Sequence, residues 1–350
     1  MILTEKAAAR SRLLGFVICS MVLPMPLMAE ELSADTGSSR GNMLVDEIAR
    51  IAKAAEGTVG VSLLHLESGE SVSYNGEQRF PLASTYKVPI AAYALHLVET
   101  GKLDLSMMIE LEASERVVSS VINTAFPHPG VALSLGNLLE VMLTESDNTA
   151  TDLVLARVGG PAQVTAWLRD NEIDDLRVDR STAELLRDYA GVGPPEPGES
   201  YSDQFERLVS DGRLDVFSQD GSSDSYIRFV RDPRDQGTPD EMTGLLGMLW
   251  RRELLTDQSV DWLEGAMRRC RTGTERIPAR LPLGTEVAHK SGTITGTVND
   301  VGLIKLPSGK GHVLLSIYIK HGTDSRASLE SAIADIARAA YDYFVFRYGS

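Results

Sequence analysis

A serine and a lysine stand three positions apart at the start of an apolar run with helical spacing. Ser84 opens the sequence Ser-Thr-Tyr-Lys and Lys87 closes it. Residues three apart lie on one face of a helix, so the two side chains are expected to be neighbours. A hydroxyl becomes an effective nucleophile when a nearby base takes its proton, and a desolvated lysine can be that base. The pair therefore indicates nucleophilic catalysis by Ser84.

Two more short motifs follow the first one along the chain. Ser146-Asp147-Asn148 begins 62 residues after Ser84, and Lys290-Ser291-Gly292-Thr293 lies on a predicted strand. Any one of these motifs alone is weak evidence, because short spacings of common residues arise by chance. All three in this order are characteristic of class A β-lactamases and penicillin-binding proteins.

The sequence resembles class A serine β-lactamases beyond these three motifs. The further matching segments are Phe80-Pro81-Leu82-Ala83, Asn148-Thr149-Ala150, Val158-Gly159-Gly160-Pro161, residues 267–273, Leu281-Pro282 and Asn299-Asp300-Val301. The resemblance covers the chain after residue 29 except for 187–231. It implies an α+β fold of the class A β-lactamase and D,D-peptidase type, in which an antiparallel sheet with flanking helices adjoins an all-α lobe.

The resemblance also implies a role for each motif residue. Ser84 would attack the substrate carbonyl, and Lys87 would accept its proton directly or through a relay. The backbone N–H groups of Ser84 and Thr293 would form the oxyanion hole, and Ser146 would pass a proton to the leaving nitrogen. Lys290 would meet the substrate carboxylate. The residues expected to bind substrate are Asn148, Ser291, Gly292, Thr293 and Arg276.

The sequence departs from the family where water is activated to release the acyl-enzyme. In efficient β-lactamases a glutamate and an asparagine hold that water, and here Thr182 and Leu186 occupy their places. About forty additional residues also separate the two halves of the family's Ω-shaped loop, which Arg180 and Asp235 are expected to close as an ion pair. General-base catalysis contributes about 10²–10⁴-fold, so its loss would slow deacylation.

Three possibilities follow for this second half-reaction. Another acid could replace the missing base, with candidates Glu184, Glu196, Glu199 and Glu206. The protein could instead be a D,D-peptidase-like penicillin-binding protein that acts on D-alanyl-D-alanine peptides. It could also be a receptor that stays acylated, or an interaction module that presents the inserted loop to a partner. Hydrolysis of β-lactams is the primary prediction.

Strand patterns lie near both ends of the chain, and helical patterns lie between them. Period-two and β-branched runs occupy 58–66, 71–74, 286–293, 298–306 and 311–320, whereas helical stripes dominate the middle. We therefore predict an α/β lobe from 40–80 and 276–350, and an α-helical lobe from 81–275. Within that lobe, 187–231 is predicted as exposed loops around a short helix at 203–210.

Composition and charge limit the partners and the compartment. Three basic residues and an apolar run ending at Ala29 predict a signal peptide over 1–29, hence a periplasmic or secreted protein with no stable membrane insertion. Its removal takes the formal net charge from −15 to −17, which disfavours nucleic-acid partners. The six histidines lack metal-binding spacing, so no metal or organic cofactor is expected. The expected partner of this monomer is a small β-lactam or a D-alanyl peptide.

Overall fold

The computed structural model describes residues 36–213 and 223–348. The predicted signal peptide, and residues 214–222 of the predicted loop, lie outside these ranges. Within the described part of the chain, no helix has the length and apolar composition needed to cross a bilayer.

The described residues form twelve α-helices and nine strands. The helices are α1 (Thr36–Ala54), α2 (Lys87–Glu99), α3 (Val121–Ala125), α4 (Leu135–Thr144), α5 (Asn148–Arg157), α6 (Pro161–Asp170), α7 (Thr182–Ala190), α8 (Tyr201–Ser210), α9 (Asp224–Arg231), α10 (Pro239–Trp250), α11 (Asp257–Arg268) and α12 (Arg326–Arg347). The strands are β1 (Thr58–His65), β2 (Ser71–Tyr74), β3 (Phe80–Pro81), β4 (Met108–Glu110), β5 (Ala132–Ser134), β6 (Gln236–Gly237), β7 (Val287–Ile294), β8 (Thr297–Lys305) and β9 (His312–Lys320).

One five-stranded antiparallel sheet is built from the two ends of the chain. Its strand order is β2-β1-β9-β8-β7, so the first and last strand groups meet where β1 pairs with β9. Apart from its terminal residues, β9 is buried throughout, which explains its nearly unbroken apolar sequence. Helices therefore cover both faces of the sheet, and the predicted α+β class is confirmed.

Two hydrophobic cores lie on the opposite faces of this sheet. α1 and α12 pack on one face around Ile48, Ile317 and Ile333. On the other face α10 packs on β1 and β9, and it continues into the core of the remaining helices. The sheet is therefore a rigid layer to which β7, with the lysine motif, is fixed by antiparallel pairing with β8.

The enlarged loop is more helical than the sequence analysis predicts. Two described helices, α7 and α9, lie within or extend into the region predicted as exposed loops, and the predicted short helix is observed as α8. Ser223 caps α9, and Tyr226, Phe229 and Val230 form its apolar stripe. The apolar spacing of these short helices was not recognised in the sequence, because segments rich in glycine, proline and serine lie around residues 195 and 221.

The loop has its own small core, which packs against the end of β7. Leu185 and Tyr189 of α7 meet Tyr226 and Phe229 of α9, and Ile294 of β7 packs on this cluster. The Tyr226 hydroxyl donates to the carbonyl of Gly296 at 2.8 Å and accepts the N–H of His321 at 2.7 Å. The insertion is therefore tied to the β7–β8 turn.

The base of the loop is closed by the ion pair that the sequence predicts. Arg180 Nε lies 2.5 Å from Asp235 Oδ2, and both side chains are almost fully buried. Asp235 Oδ1 also accepts the backbone N–H of Asp179 at 2.7 Å. These contacts hold both ends of the loop together and fix where α7 begins.

The anchoring of the loop by Tyr226 can be tested through stability. Tyr226→Phe should lower the free energy of unfolding by about 1–3 kcal/mol, because it removes a donor and leaves the N–H of His321 without its partner. Urea denaturation measures this change. Tyr93→Phe is the matched control, since the Tyr93 ring packs on His96 and Trp167, and its cost should stay within about 0.5 kcal/mol. Equal costs for both substitutions would contradict the proposed anchor.

Candidate active site

A cavity of about 260 Å³ opens between α2, the α4–α5 connection, β7 and the enlarged loop. Its walls contain five of the residues that the sequence analysis singled out, namely Ser84, Ser146, Asn148, Ser291 and Thr293. These residues come from three motifs that are far apart in the chain. The fold therefore brings the motifs to one concave site.

Ser84 lies in a short 3₁₀ turn (Ala83–Tyr86) that leads directly into α2. The preceding residue, Ala83, has a φ of +46°, a conformation that side-chain-bearing residues rarely adopt and that often occurs at functional sites. β7 passes very close to this turn: a Cβ on Gly292 would lie 3.0 Å from the Ser84 nitrogen. Glycine at 292 is therefore what lets the Ser84 N–H and the end of β7 face the same space.

Two buried lysines converge on one serine hydroxyl. Lys87 Nζ lies 3.2 Å from Ser146 Oγ, and Lys290 Nζ donates to the same oxygen at 3.0 Å. Lys87 also donates to the Ser146 carbonyl at 2.6 Å and to Asn148 Oδ1 at 2.8 Å. Ser146 has a φ of +59°, so its backbone is strained in the position that presents its hydroxyl to both amines.

Burial weakens the basicity of both lysines, and the charge of Lys290 weakens that of Lys87 further. Burial first, and then the charge of Lys290, hold the pKa of Lys87 well below its usual value. Burial lowers the pKa of Lys290 to about 8. Lys87 is consequently the better candidate for a neutral amine that accepts a proton.

Asp147 supports the second motif from behind the cavity. Its carboxylate caps α5 by accepting the N–H of Ala150 at 2.8 Å, and it also accepts the N–H of Ile122 and the hydroxyl of Ser120. All of these contacts are within the fold, so Asp147 holds the backbone on either side of Ser146 and Asn148.

Arg276 does not face the substrate side of the cavity, contrary to the expectation for a carboxylate-binding arginine. It is fully buried behind β7 and pairs with Glu330 at 3.1 Å. Its guanidinium also donates to the carbonyls of Gly292 and Asn299 and to Thr293 Oγ1. Because its donors are engaged within the protein, Arg276 can position Gly292 and Thr293 but is not free to bind a ligand.

Another arginine, which the sequence analysis missed, lines the cavity near Ser291 and Thr293. Arg326 begins α12, its side chain is 65% exposed, and Glu330 one turn later pairs with it at 3.0 Å. Glu330 therefore lies between the buried Arg276 and the exposed Arg326. No motif marks Arg326, because its position depends on the end of α12 reaching the edge of β7.

The loop side of the cavity has the substitutions that the sequence predicts. Thr182 and Leu186, at the family positions of the glutamate and the asparagine, both line the cavity. The four candidate replacement acids do not line it. Glu184 caps its own helix through the N–H of Ser181, Glu199 pairs with Arg207 at 2.7 Å, and Glu196 and Glu206 are exposed.

Two further polar groups near Thr182 were not anticipated from the sequence. Tyr86 lines the cavity, and its hydroxyl lies 2.5 Å from Thr182 Oγ1. Asp152, on α5, accepts the backbone N–H groups of Thr182 and Ala183. No sequence motif places Asp152 near the loop. Its contact with Thr182 and Ala183 depends on how α7 packs on α5.

A metal centre has no candidate ligands in the described ranges. Among residues 36–213 and 223–348, no group of three or more His, Cys, Asp or Glu side chains is arranged to hold a metal ion.

Comparisons with known proteins agree with this site. The model of the β-lactamase enzyme family matches residues 43–344. The extended-spectrum β-lactamase PER-1 of Pseudomonas aeruginosa is 26% identical over 338 residues, which cover 94% of this chain and 96% of that protein. The β-lactamase CTX-M-25 of Escherichia coli is 28% identical over 344 residues, or 97% of this chain and 99% of that protein.

A solved structure has the same fold. The crystal structure of a β-lactamase from Chitinophaga pinensis superposes with a TM-score of 0.70 at 26% identity, and it covers 86% of this chain and 99% of that one. The matched family segment contains Ser84, Lys87, Ser146 and Lys290. The resemblance predicted from the motifs is confirmed: the chain belongs to the β-lactamase enzyme family, as a class A serine member.

Proposed function

We propose that this protein hydrolyses the amide bond of β-lactams through an ester on Ser84. The observation that carries the proposal is the convergence of Lys87 and Lys290 on Ser146 Oγ beside the cavity that contains Ser84. A binding protein without chemistry would have no need for two buried amines next to a serine nucleophile. Family membership supports the same reaction.

In acylation, neutral Lys87 takes the proton of Ser84 as its oxygen attacks the carbonyl carbon. The lowered pKa of Lys87 favours this step, because it makes the neutral amine easier to reach. The N–H groups of Ser84 and Thr293 would stabilise the negative charge on the carbonyl oxygen, a strong effect when the donors are fixed in advance. Ser146, in contact with both lysines, then passes a proton to the leaving nitrogen.

Substrate binding rests on the cavity wall formed by β7 and α12. Lys290, Ser291 and Thr293 are the donors for the substrate carboxylate, and Asn148 is the partner for its amide. Arg326 adds an exposed positive charge at this wall, in the role that the sequence analysis gave to Arg276. Arg276 acts indirectly, since it holds the carbonyl of Gly292 and the hydroxyl of Thr293 on β7.

D-Alanyl peptide chemistry is the second candidate function. Thr182 in the place of the family's glutamate favours it, because the acylation machinery is shared and only efficient release of the acyl-enzyme depends on that base.

We further propose that the protein is exported to the periplasm or medium, acts there as a monomer, and protects its host from β-lactams.

The acyl-enzyme can be detected directly. On incubation with a chromogenic cephalosporin, the protein should turn over many substrate molecules, and intact-mass spectra should show a transient adduct. Ser84→Ala should abolish both, because the ester oxygen is removed. A single adduct that persists would instead favour the peptidase function. If neither turnover nor adduct appears, serine acylation itself is wrong.

The assignment of the carboxylate-binding arginine gives a second prediction. Arg326→Ala should raise KM for a penicillin about two- to fivefold and leave kcat unchanged, since an exposed ion pair contributes up to about 1 kcal/mol and acts equally on ground and transition states. Steady-state kinetics measures both constants. Arg338→Ala is the matched control, because Arg338 lies on the same helix and also pairs four residues on, with Asp342. An unchanged KM in Arg326→Ala would refute the assignment.

A further inference from the structure

The structure also suggests how the Ser84 ester is released without the family's glutamate. We propose that Asp152 is the proton acceptor for the water that hydrolyses the acyl-enzyme, and that the Thr182 hydroxyl carries the proton to it. This inference rests on the serine acylation proposed above, and it concerns only the second half of that reaction.

Asp152 contacts the beginning of α7 through two backbone hydrogen bonds. Its Oδ1 accepts the N–H of Thr182 at 2.6 Å, and its Oδ2 accepts the N–H of Ala183 at 2.9 Å. The Thr182 side chain also interacts with this carboxylate and helps to lower the pKa of Asp152. Asp152 therefore fixes both the backbone and the side chain of the residue that stands where the glutamate should be.

Thr182 Oγ1 has one more neighbour, the hydroxyl of Tyr86 at 2.5 Å. A hydroxyl has one proton to donate and two lone pairs to accept with. In the proposed arrangement the Thr182 hydroxyl donates to Asp152, so Tyr86 is the donor in the second contact. One lone pair of Thr182 remains for a water molecule, and Thr182, Tyr86 and Ser84 line the same cavity.

The other acids near the cavity are engaged elsewhere. Glu145 lines the cavity and forms an ion pair with Arg271 at 3.0 Å. Glu184 is held in its capping contact with the N–H of Ser181. Among the described residues that surround the Thr182 side of the cavity, Asp152 is thus the carboxylate with a hydrogen-bonded route to it.

The proton transfers balance in both directions. As the water oxygen bonds to the ester carbonyl carbon, a water proton passes to Thr182 Oγ1, and the Thr182 proton passes to Asp152. When the bond between the carbonyl carbon and Ser84 Oγ breaks, the proton passes from Asp152 through Thr182 Oγ1 and a second water molecule in the cavity to Ser84 Oγ. The second water proton leaves with the product as its carboxylic acid, which ionises in solvent.

The charge around Asp152 suits this role. Desolvation raises its pKa to about 6, while its hydrogen bonds to α7 and the charge of Lys87 act in the opposite direction. At neutral pH the carboxylate is therefore ionised and still basic enough to accept a proton. The charged groups that face the cluster are Lys87 from α2, and Arg180 and Asp235 from the loop base, which are paired with each other.

Stopped-flow kinetics with a chromogenic cephalosporin separates acylation, seen as a burst, from deacylation, seen as the later steady rate. Thr182→Val keeps the shape of the side chain and removes the hydroxyl, so deacylation should slow at least about 10²-fold while the burst rate is retained. Thr182→Ser should recover most of the lost rate. Glu184→Gln is the control for a general disturbance of the loop, and its deacylation rate should match that of the unaltered protein.

The dependence of the deacylation rate on pH gives a test that can be made on the unaltered protein. In the unaltered protein, deacylation should fall as the pH drops through about 6, because Asp152 becomes protonated. Asp152→Asn should slow deacylation and abolish this acid limb. A flat profile in the unaltered protein, or a normal deacylation rate in Thr182→Val, would overturn the role of Asp152. Absence of both turnover and a Ser84 adduct in the unaltered protein would refute serine acylation instead.

Discussion

The active site depends on two buried lysine amines that contact the same serine hydroxyl, because it is unfavourable for both amines to be charged there. Lys87 and Lys290 both reach Ser146 Oγ within 3.2 Å, and both are fully buried. In a medium of low polarity two neighbouring cations repel strongly and each loses its hydration. One amine must give up its proton readily, and Lys87, with Ser84 one helical turn before it, is the one that burial and Lys290 together disfavour as a cation.

The rest of the molecule holds the groups around these amines in place. Arg276 fixes the backbone of β7 from behind through Gly292 and Thr293, and Asp147 fixes the turn that carries Ser146. On the loop side, α9 is tied to the β7–β8 turn through Tyr226. The enlarged loop thereby packs against the site wall, and its first helix, α7, brings Thr182 to the cavity.

The sequence predicted the parts of this arrangement that local pattern determines. The three motifs and the strands of the sheet follow from residue types and spacing along the chain, whereas the ion pair of Arg180 with Asp235 was implied by the family resemblance. Arg276, Arg326 and Asp152 could not be placed in the same way, because their surroundings are set by contacts between distant elements. An arginine that binds a ligand and one that supports a strand look alike in sequence, and only burial distinguishes them.

Lys87 is expected to be the weaker base of the two amines, because it is buried beside a second cation. Titration of the lysine Nζ groups by NMR, with Lys87 assigned through Lys87→Met, tests this claim directly. We predict that Lys87 titrates well below the ordinary range of lysine, and that its pKa rises in Lys290→Met because the neighbouring charge is gone. A Lys87 amine that titrates like an exposed lysine, or that does not respond to the loss of Lys290, would contradict the account.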